Sequence, residues 1–165
     1  MPVRILVTVV MLGAMVFPPA RALALEMKPL ATFHLSAADG TTISSADLLG
    51  DSRWIVVYAT PECRPCDALL GSLRQLRTEG FAQRTILIVG APHDEARAYV
   101  RQTLPSDLSQ LRWYADDQAE AWDGLELAGA PTLVGVRDGR VEWGLSGVPP
   151  SPERLRRLLR SWLTE

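Results

Sequence analysis

Three short apolar runs constrain the fold of this chain more than any other feature. They lie at residues 53–59 (RWIVVYA), 85–91 (TILIVGA) and 131–136 (PTLVGV). Apolar runs of this length are typical of strands buried on both faces, as in a sheet that helices cover. The chain has 165 residues, enough for one domain with a sizeable core. These observations predict a single α/β domain.

The segments around these runs carry helix, strand and turn patterns. The predicted elements are strands at 31–37, 41–44, 111–115 and 140–147, helices at 63–78, 94–104 and 152–163, and a helical turn at 45–49. Asp39–Gly40 and Asp138–Gly139 are typical of tight hairpin turns. Asp116 or Asp117 is the expected cap of a further short helix that reaches Trp122. Alternating strands and helices followed by a hairpin predict a mixed sheet flanked by helices.

The last helix has the clearest boundary signal. Ser151 is a typical N-cap and Pro152 suits the first helical position. The residues expected on its apolar face are Leu155, Leu158, Leu159, Trp162 and Leu163. Arg154, Arg157 and Arg160 are expected on the opposite, solvated face.

The first 24 residues resemble a signal peptide. Arg4 precedes an apolar run at 5–17, and Ala22-Leu23-Ala24 fits a small-residue cleavage site. The run is shorter than the ~20 residues that a membrane-spanning helix needs. We therefore expect an exported, periplasmic protein whose mature domain covers 25–165, with an uncleaved membrane anchor as the alternative.

The charge of the mature chain argues against nucleic-acid binding. Removal of residues 1–24 takes away Arg4 and Arg21 and no acidic residue, which leaves 15 basic and 19 acidic residues and a net charge of −4. A general nucleic-acid binder needs a basic face instead.

Cys63 and Cys66 are the two cysteines of the chain. A bridge between them closes a loop of two residues, which removes little entropy from the unfolded chain, so a structural staple is a poor explanation. They lie where a predicted strand gives way to a predicted helix. Free amide groups and the helix dipole stabilise a thiolate there, and the thiolate is the nucleophile in disulfide exchange. We expect Cys63 to be exposed and Cys66 to be shielded one turn deeper.

The two residues between the cysteines suit this position. Pro65 fits a first helical turn, where its missing N–H costs nothing. Arg64 brings a positive charge that favours the thiolate, whereas Glu62 and Asp67 oppose it.

Two segments together resemble the thioredoxin superfamily. WIVVYATPECRPC is similar to its strand, Cys-x-Pro-Cys and helix start, and GAPTLVGVRDGRV is similar to its cis-proline strand and hairpin. DGTTIS and DLLGDSRW resemble the N-terminal β extension of exported thioredoxins of the TlpA/ResA type. The resemblance covers about residues 31–163. It implies a thioredoxin-like α/β fold with a mixed central sheet.

The resemblance also implies roles for individual residues. Cys63 would attack the substrate disulfide and Cys66 would resolve the mixed disulfide. Ala130 and a cis-Pro131 would face the dithiol and present backbone to an extended substrate. Arg64 and Pro65 would complete the substrate-binding residues.

The sequence departs from the family pattern at three positions. Glu62 stands where the family commonly has Trp, Val57 where cytosolic thioredoxins have a buried Asp, and Leu69 where ResA-like proteins have Glu. Glu62 or Asp67 would then be the remaining acids beside the dithiol for proton transfer.

The expected function is therefore that of a thiol–disulfide oxidoreductase without a cofactor. Pro65 resembles the second intervening residue of thioredoxin and favours reduction of protein disulfides, in cytochrome c maturation or in assembly of an oxidase copper centre. A monomer with a membrane-bound electron donor is expected. The alternatives are a Cu(I)-binding assembly chaperone, since thiolates select Cu(I), and a non-catalytic thioredoxin-fold binding module. His34 and His93 lack zinc-site spacing, so no metal site is expected.

Overall fold

The computed structural model describes residues 29–50, 52–74, 81–104 and 111–164. The predicted signal peptide at 1–24 and the end of the predicted helix at 63–78 lie outside these residues. Within the described ranges, no helix combines the length and the apolar character that a membrane crossing requires.

The described residues form one sheet of seven strands in the order β2-β1-β5-β4-β3-β6-β7. Its strands are β1 His34–Ala37, β2 Thr42–Ser44, β3 Arg53–Ala59, β4 Thr85–Val89, β5 Arg112–Ala115, β6 Thr132–Arg137 and β7 Arg140–Ser146. The pairs β3–β4 and β4–β5 are parallel and the other neighbours are antiparallel. The sheet is therefore mixed, as expected, and the β1–β2 hairpin extends it beyond β5.

Helices cover both faces of this sheet. They are α1 Ser45–Leu49, α2 Arg64–Arg74, α3 His93–Thr103, α4 Glu120–Gly124 and α5 Pro152–Thr164, and a 3₁₀ turn spans Ala82–Arg84. Buried residues of α2, α3 and α5 belong to one apolar cluster, and those of α1 and α4 belong to another. The chain thus has three layers.

The central strand β3 shows why its whole sequence is apolar. Ile55, Val57 and Ala59 pack in the cluster with α2, whereas Val56 and Tyr58 pack in the cluster with α4. Side chains alternate between the two faces of a strand, and here both faces are covered. The continuous apolar run is therefore the signature of a strand in the middle layer.

Most predicted boundaries agree with the structure to within a few residues. The 53–59 run is β3, and α5 begins at Pro152 with the Arg154 N–H 3.4 Å from the Ser151 hydroxyl. Asp138 and Gly139 have φ values of 48° and 67°, as a two-residue hairpin turn requires.

The prediction that Leu158 belongs to the buried face of α5 is wrong. Leu155, Leu159 and Trp162 are buried, but Leu158 is 38% exposed. At 100° per residue, Leu158 lies about 65° from the centre of the stripe formed by the three buried side chains. It therefore stands at the margin of the contact with the sheet.

The short helix α4 is capped by Asp116, one of the two aspartates proposed for this role. Asp116 does not occupy the N-cap position, which is Ala119 in a left-handed conformation. Its carboxylate instead accepts hydrogen bonds from the backbone N–H groups of Ala121 and Trp122, both at 3.1 Å. A carboxylate one loop upstream thus satisfies the first turn of α4.

Candidate active site

The two cysteines lie where β3 passes into α2. β3 ends at Ala59 and α2 begins at Arg64, so Cys63 immediately precedes the helix and Cys66 is its third residue. The cysteines form a disulfide with their Cα atoms 5.3 Å apart. The Cys66 N–H donates a hydrogen bond of 2.9 Å to the Cys63 carbonyl. The helical turn therefore holds the two sulfurs within bonding reach.

The two sulfurs differ in accessibility. Cys66 is fully buried in the cluster below α2. Cys63 is half-buried and lines an open groove of about 560 Å³. The difference arises because Cys63 precedes the helix whereas Cys66 points from its first turn into the core. An incoming disulfide can therefore reach Cys63 first.

The segment at Ala130 and Pro131 reaches the same groove from another strand. The Ala130–Pro131 peptide bond is cis. Ala130 is half-buried and lines the groove together with Cys63, while Pro131 is buried. The antiparallel register explains this meeting, because Tyr58 near the end of β3 pairs with Thr132 at the start of β6. Residues almost 70 positions apart thus meet at one edge of the sheet.

Two hydrogen bonds hold the turn before β6. The Thr132 hydroxyl lies 2.6 Å from the Gly129 carbonyl, to which it donates. The Gly147 N–H donates to the Pro131 carbonyl at 2.7 Å. These contacts fix the backbone on both sides of Ala130.

Arg64 and Pro65 complete the rim of the groove. Both are exposed on the first turn of α2, and Glu62 is exposed just before Cys63. Of the six site residues proposed from the sequence, four line the groove, and Cys66 and Pro131 lie buried. The structure brings the six together at one end of the sheet.

Trp122 also lines the groove, although no pattern in the sequence indicates it. Trp122 is half-buried in α4, and its ring meets the Tyr58 ring edge-to-face with centroids 5.5 Å apart. Because Trp122 is far from Cys63 along the chain, the sequence does not indicate that the two residues line the same groove. Only the packing of α4 against the end of β3 places it there.

Tyr58 and Asp116 form a buried pair beside the site. The Tyr58 hydroxyl donates a hydrogen bond of 2.9 Å to Asp116, and the two residues are 2% and 3% exposed. Burial and the neighbouring Asp116 carboxylate raise the pKa of Tyr58 well above its usual range. The hydroxyl therefore remains a donor to a carboxylate that also holds the first turn of α4.

Apolar residues occupy two of the positions at which the sequence departs from the pattern of the family that it resembles. Val57 and Leu69 are both fully buried and leave no carboxylate beneath the disulfide at these two positions. Glu62 and Asp67 are exposed, and Asp67 accepts a hydrogen bond of 3.3 Å from the Tyr99 hydroxyl.

The two histidines are engaged elsewhere. His34 contacts Glu120 through its ring, and the His93 ring lies 3.0 Å from the Ala37 carbonyl. The described residues contain no group of three or more His, Cys, Asp or Glu side chains placed to hold a metal ion.

Comparison with known proteins gives similar solved structures and no match by sequence. No protein-family model and no curated protein matches the chain. DsbF of Mycobacterium tuberculosis is similar with a TM-score of 0.62 at 17% identity, over 79% of this chain and 94% of that one. A secreted disulfide oxidoreductase of the same organism has a TM-score of 0.60 at 18% identity, over 78% of this chain and 95% of that one. The exposed lipoprotein thioredoxin of Streptococcus pneumoniae has a TM-score of 0.59 at 17% identity, over 79% of this chain and 99% of that one.

These similarities extend over nearly the whole of each solved chain, and this chain has a mixed sheet with helices on both faces. The expectation of fold class is therefore confirmed: the chain has the thioredoxin-like fold.

Proposed function

We propose that this protein is an exported thiol–disulfide oxidoreductase that reduces disulfides in protein substrates. One observation carries the proposal. Cys63 lines an open groove together with Ala130, and Cys66 lies buried behind it within disulfide distance. An attacking thiolate needs access to the substrate, whereas a resolving thiol needs access only to the first sulfur.

The reaction consists of two thiol–disulfide exchanges. The Cys63 thiolate attacks one sulfur of the substrate disulfide, which forms a mixed disulfide and releases the other substrate sulfur as a thiolate. Cys66 then attacks the Cys63 sulfur, so that the mixed disulfide breaks and the Cys63–Cys66 disulfide forms. Two electrons and two protons pass from the protein dithiol to the substrate, which leaves with two thiols.

The surroundings of Cys63 support both steps. The positive end of the α2 dipole stabilises the thiolate. Exposed Arg64 adds a positive charge at the same end of the helix. The backbone at Ala130, fixed by the hydrogen bonds of Thr132 and Gly147, offers an edge to an extended substrate segment.

The proposed setting is the periplasm, where a reductant needs a supply of electrons. Among the structural neighbours, one is described as secreted and another as an exposed lipoprotein, which supports export. We place the protein as a monomer that is re-reduced by a membrane-bound dithiol donor. Cytochrome c maturation and assembly of an oxidase copper centre are the pathways that fit this role.

Disulfide turnover tests the proposal. The dithiothreitol-reduced protein is expected to reduce insulin or a peptide disulfide, and Cys63→Ala is expected to abolish the reaction. Equal rates for the wild type and Cys63→Ala would contradict it and would leave the chain a binding module. A reduction potential like that of thioredoxin, about −270 mV, supports the reducing direction, whereas one of about −120 mV indicates an oxidant.

Trapping tests the order of attack. Cys66→Ala leaves Cys63 without a resolving thiol, so it is expected to accumulate a covalent adduct with its substrates. The matched Cys63→Ala variant is expected to accumulate none, because Cys66 is fully buried. Adducts on Cys63→Ala in place of Cys66→Ala would reverse the assignment.

A further inference from the structure

Trp122 separates two neighbouring grooves on the active-site face. The first, of about 560 Å³, contains Cys63 and Ala130. The second, of about 580 Å³, lies over Gly90 and Asp116 beyond the ends of β4 and β5, and Trp122 lines it too. Trp122 therefore forms part of the wall of both grooves.

Trp122 is held on a buried support. Its backbone N–H donates to Asp116 at 3.1 Å, and its ring packs edge-to-face on Tyr58 at 5.5 Å. Tyr58 in turn donates to Asp116 and lies so close to Gly90 that any Cβ there would collide with its hydroxyl. A side chain fixed in this way loses little further conformational freedom when it binds a substrate.

Apart from Trp122, the apolar side chains that line the groove near Cys63 are the small ones of Pro65 and Ala130, and the others are polar or charged. Thr60, Glu62 and Arg64 line it together with Trp122. Glu62 is exposed and offers no apolar surface beside Cys63. Half-buried Trp122 is therefore the large apolar side chain available to a substrate at this groove. Tryptophan is also the side chain type that most often dominates binding energy when it is packed in this manner.

We propose that Trp122 is a specificity-determining residue that contacts a large apolar side chain next to the reacting cysteine of the substrate. The inference rests on the proposed function and names its substrate class: extended polypeptide segments with an aliphatic or aromatic residue beside the cysteine. Removal of apolar surface from water provides the preference. Asp116 and Tyr58 act as positioning residues for the indole.

Two peptide disulfides test the proposal. They are identical except for leucine or serine beside the cysteine, and kcat and KM are measured for each with reduced protein. The wild type is expected to show a KM about tenfold lower for the leucine peptide, the discrimination that burial of one aliphatic side chain provides. Trp122→Ala is expected to bring the two KM values together, and Trp122→Phe to retain most of the difference.

Trp113→Ala is the matched control. Trp113 is also half-buried, but it stacks on His93 and does not line the groove with Cys63. It is expected to keep the tenfold discrimination. The proposal is overturned if Trp122→Ala keeps the discrimination, or if Trp113→Ala loses it to the same extent.

A binding measurement separates this proposal from the function on which it rests. If the wild type reduces neither peptide, the proposed function fails. Calorimetry then measures the affinities of the two reduced peptides for the Cys63→Ala/Cys66→Ala variant and tests the proposed contact with Trp122. A preference for the leucine peptide that disappears with Trp122→Ala supports the contact, and equal affinities overturn it.

Discussion

Replacement of Tyr58 by Phe isolates one hydrogen bond beside the active site. The substitution removes a hydroxyl that donates to Asp116 at 2.9 Å and keeps the ring on which Trp122 packs. A hydrogen bond to a charged acceptor contributes about 1.5–3 kcal/mol to stability. Asp116 keeps its two backbone donors in α4, so the loss is partly compensated. We expect the free energy of unfolding to fall by about 2 kcal/mol.

Urea unfolding of the oxidised protein measures this loss. For a domain of this size, a change of about 2 kcal/mol lowers the midpoint by about 1 M without a change in m-value. Tyr114→Phe is the control, since Tyr114 is buried but its hydroxyl bonds to no described residue. It is expected to lower the free energy of unfolding by less than about 0.5 kcal/mol.

The comparison of the two variants can refute the reasoning. Equal midpoints for Tyr58→Phe and Tyr114→Phe would mean that the hydrogen bond to Asp116 adds no net stability. Because Tyr58→Phe keeps the aromatic support, it is also expected to keep the preference for the leucine peptide. Loss of that preference would show that the hydroxyl, and with it the position of Asp116, controls the indole.

Two further predictions concern stability. Leu159→Ala removes a fully buried side chain and is expected to cost about 3 kcal/mol, whereas Leu158→Ala, at a site 38% exposed, should cost less than about 1 kcal/mol. If urea unfolding gave the same loss of free energy for both variants, the orientation of α5 on the sheet described above would be wrong. The second prediction concerns alkaline pH. Burial, and to a smaller extent the Asp67 carboxylate, raises the pKa of Tyr99 to about 12. Burial and the Asp116 carboxylate likewise raise the pKa of Tyr58. Above about pH 10 the unfolded chain loses tyrosine protons that the folded chain retains, so the free energy of unfolding should fall as pH rises, by at most about 1.4 kcal/mol per pH unit for each tyrosine. Denaturant titrations between pH 8 and 11 should give a smaller fall for Tyr99→Phe than for the wild type, and identical slopes would show that Tyr99 keeps its ordinary pKa.

Local signals in the sequence predicted most of the fold. The apolar run of β3, the turn at Asp138–Gly139 and the start of α5 at Pro152 all follow from interactions within a few residues. The burial of a residue at the margin of a helix face does not follow from such local interactions. Whether Leu158 is covered depends on how α5 sits on the sheet, and the spacing of apolar residues alone gave the wrong answer.

The position of the dithiol was predictable for a similar reason, because Cys63 and Cys66 lie where a readable strand gives way to a readable helix. That Pro131 faces the dithiol was implied by the resemblance to the thioredoxin superfamily, and the antiparallel register of β3 and β6 now explains it. Asp116 was recognised as a possible cap because it precedes a short helix. Its carboxylate also accepts a hydrogen bond from Tyr58, because β3 and β5 flank β4 and end at the same edge of the sheet.

Trp122 shows where prediction from the sequence stops. Immediately before the first cysteine the sequence places Glu62 and no tryptophan. The apolar surface at the groove comes instead from α4, where the ring of Tyr58 on β3 supports Trp122 and the Asp116 carboxylate after β5 accepts from its N–H. No spacing in the sequence encodes an orientation set by two other strands. If the substrate preference follows Trp122, then the thioredoxin-like fold supplies apolar contact beside Cys63 from a different element here, and a search for that contact by position in the Cys-x-x-Cys motif would miss it.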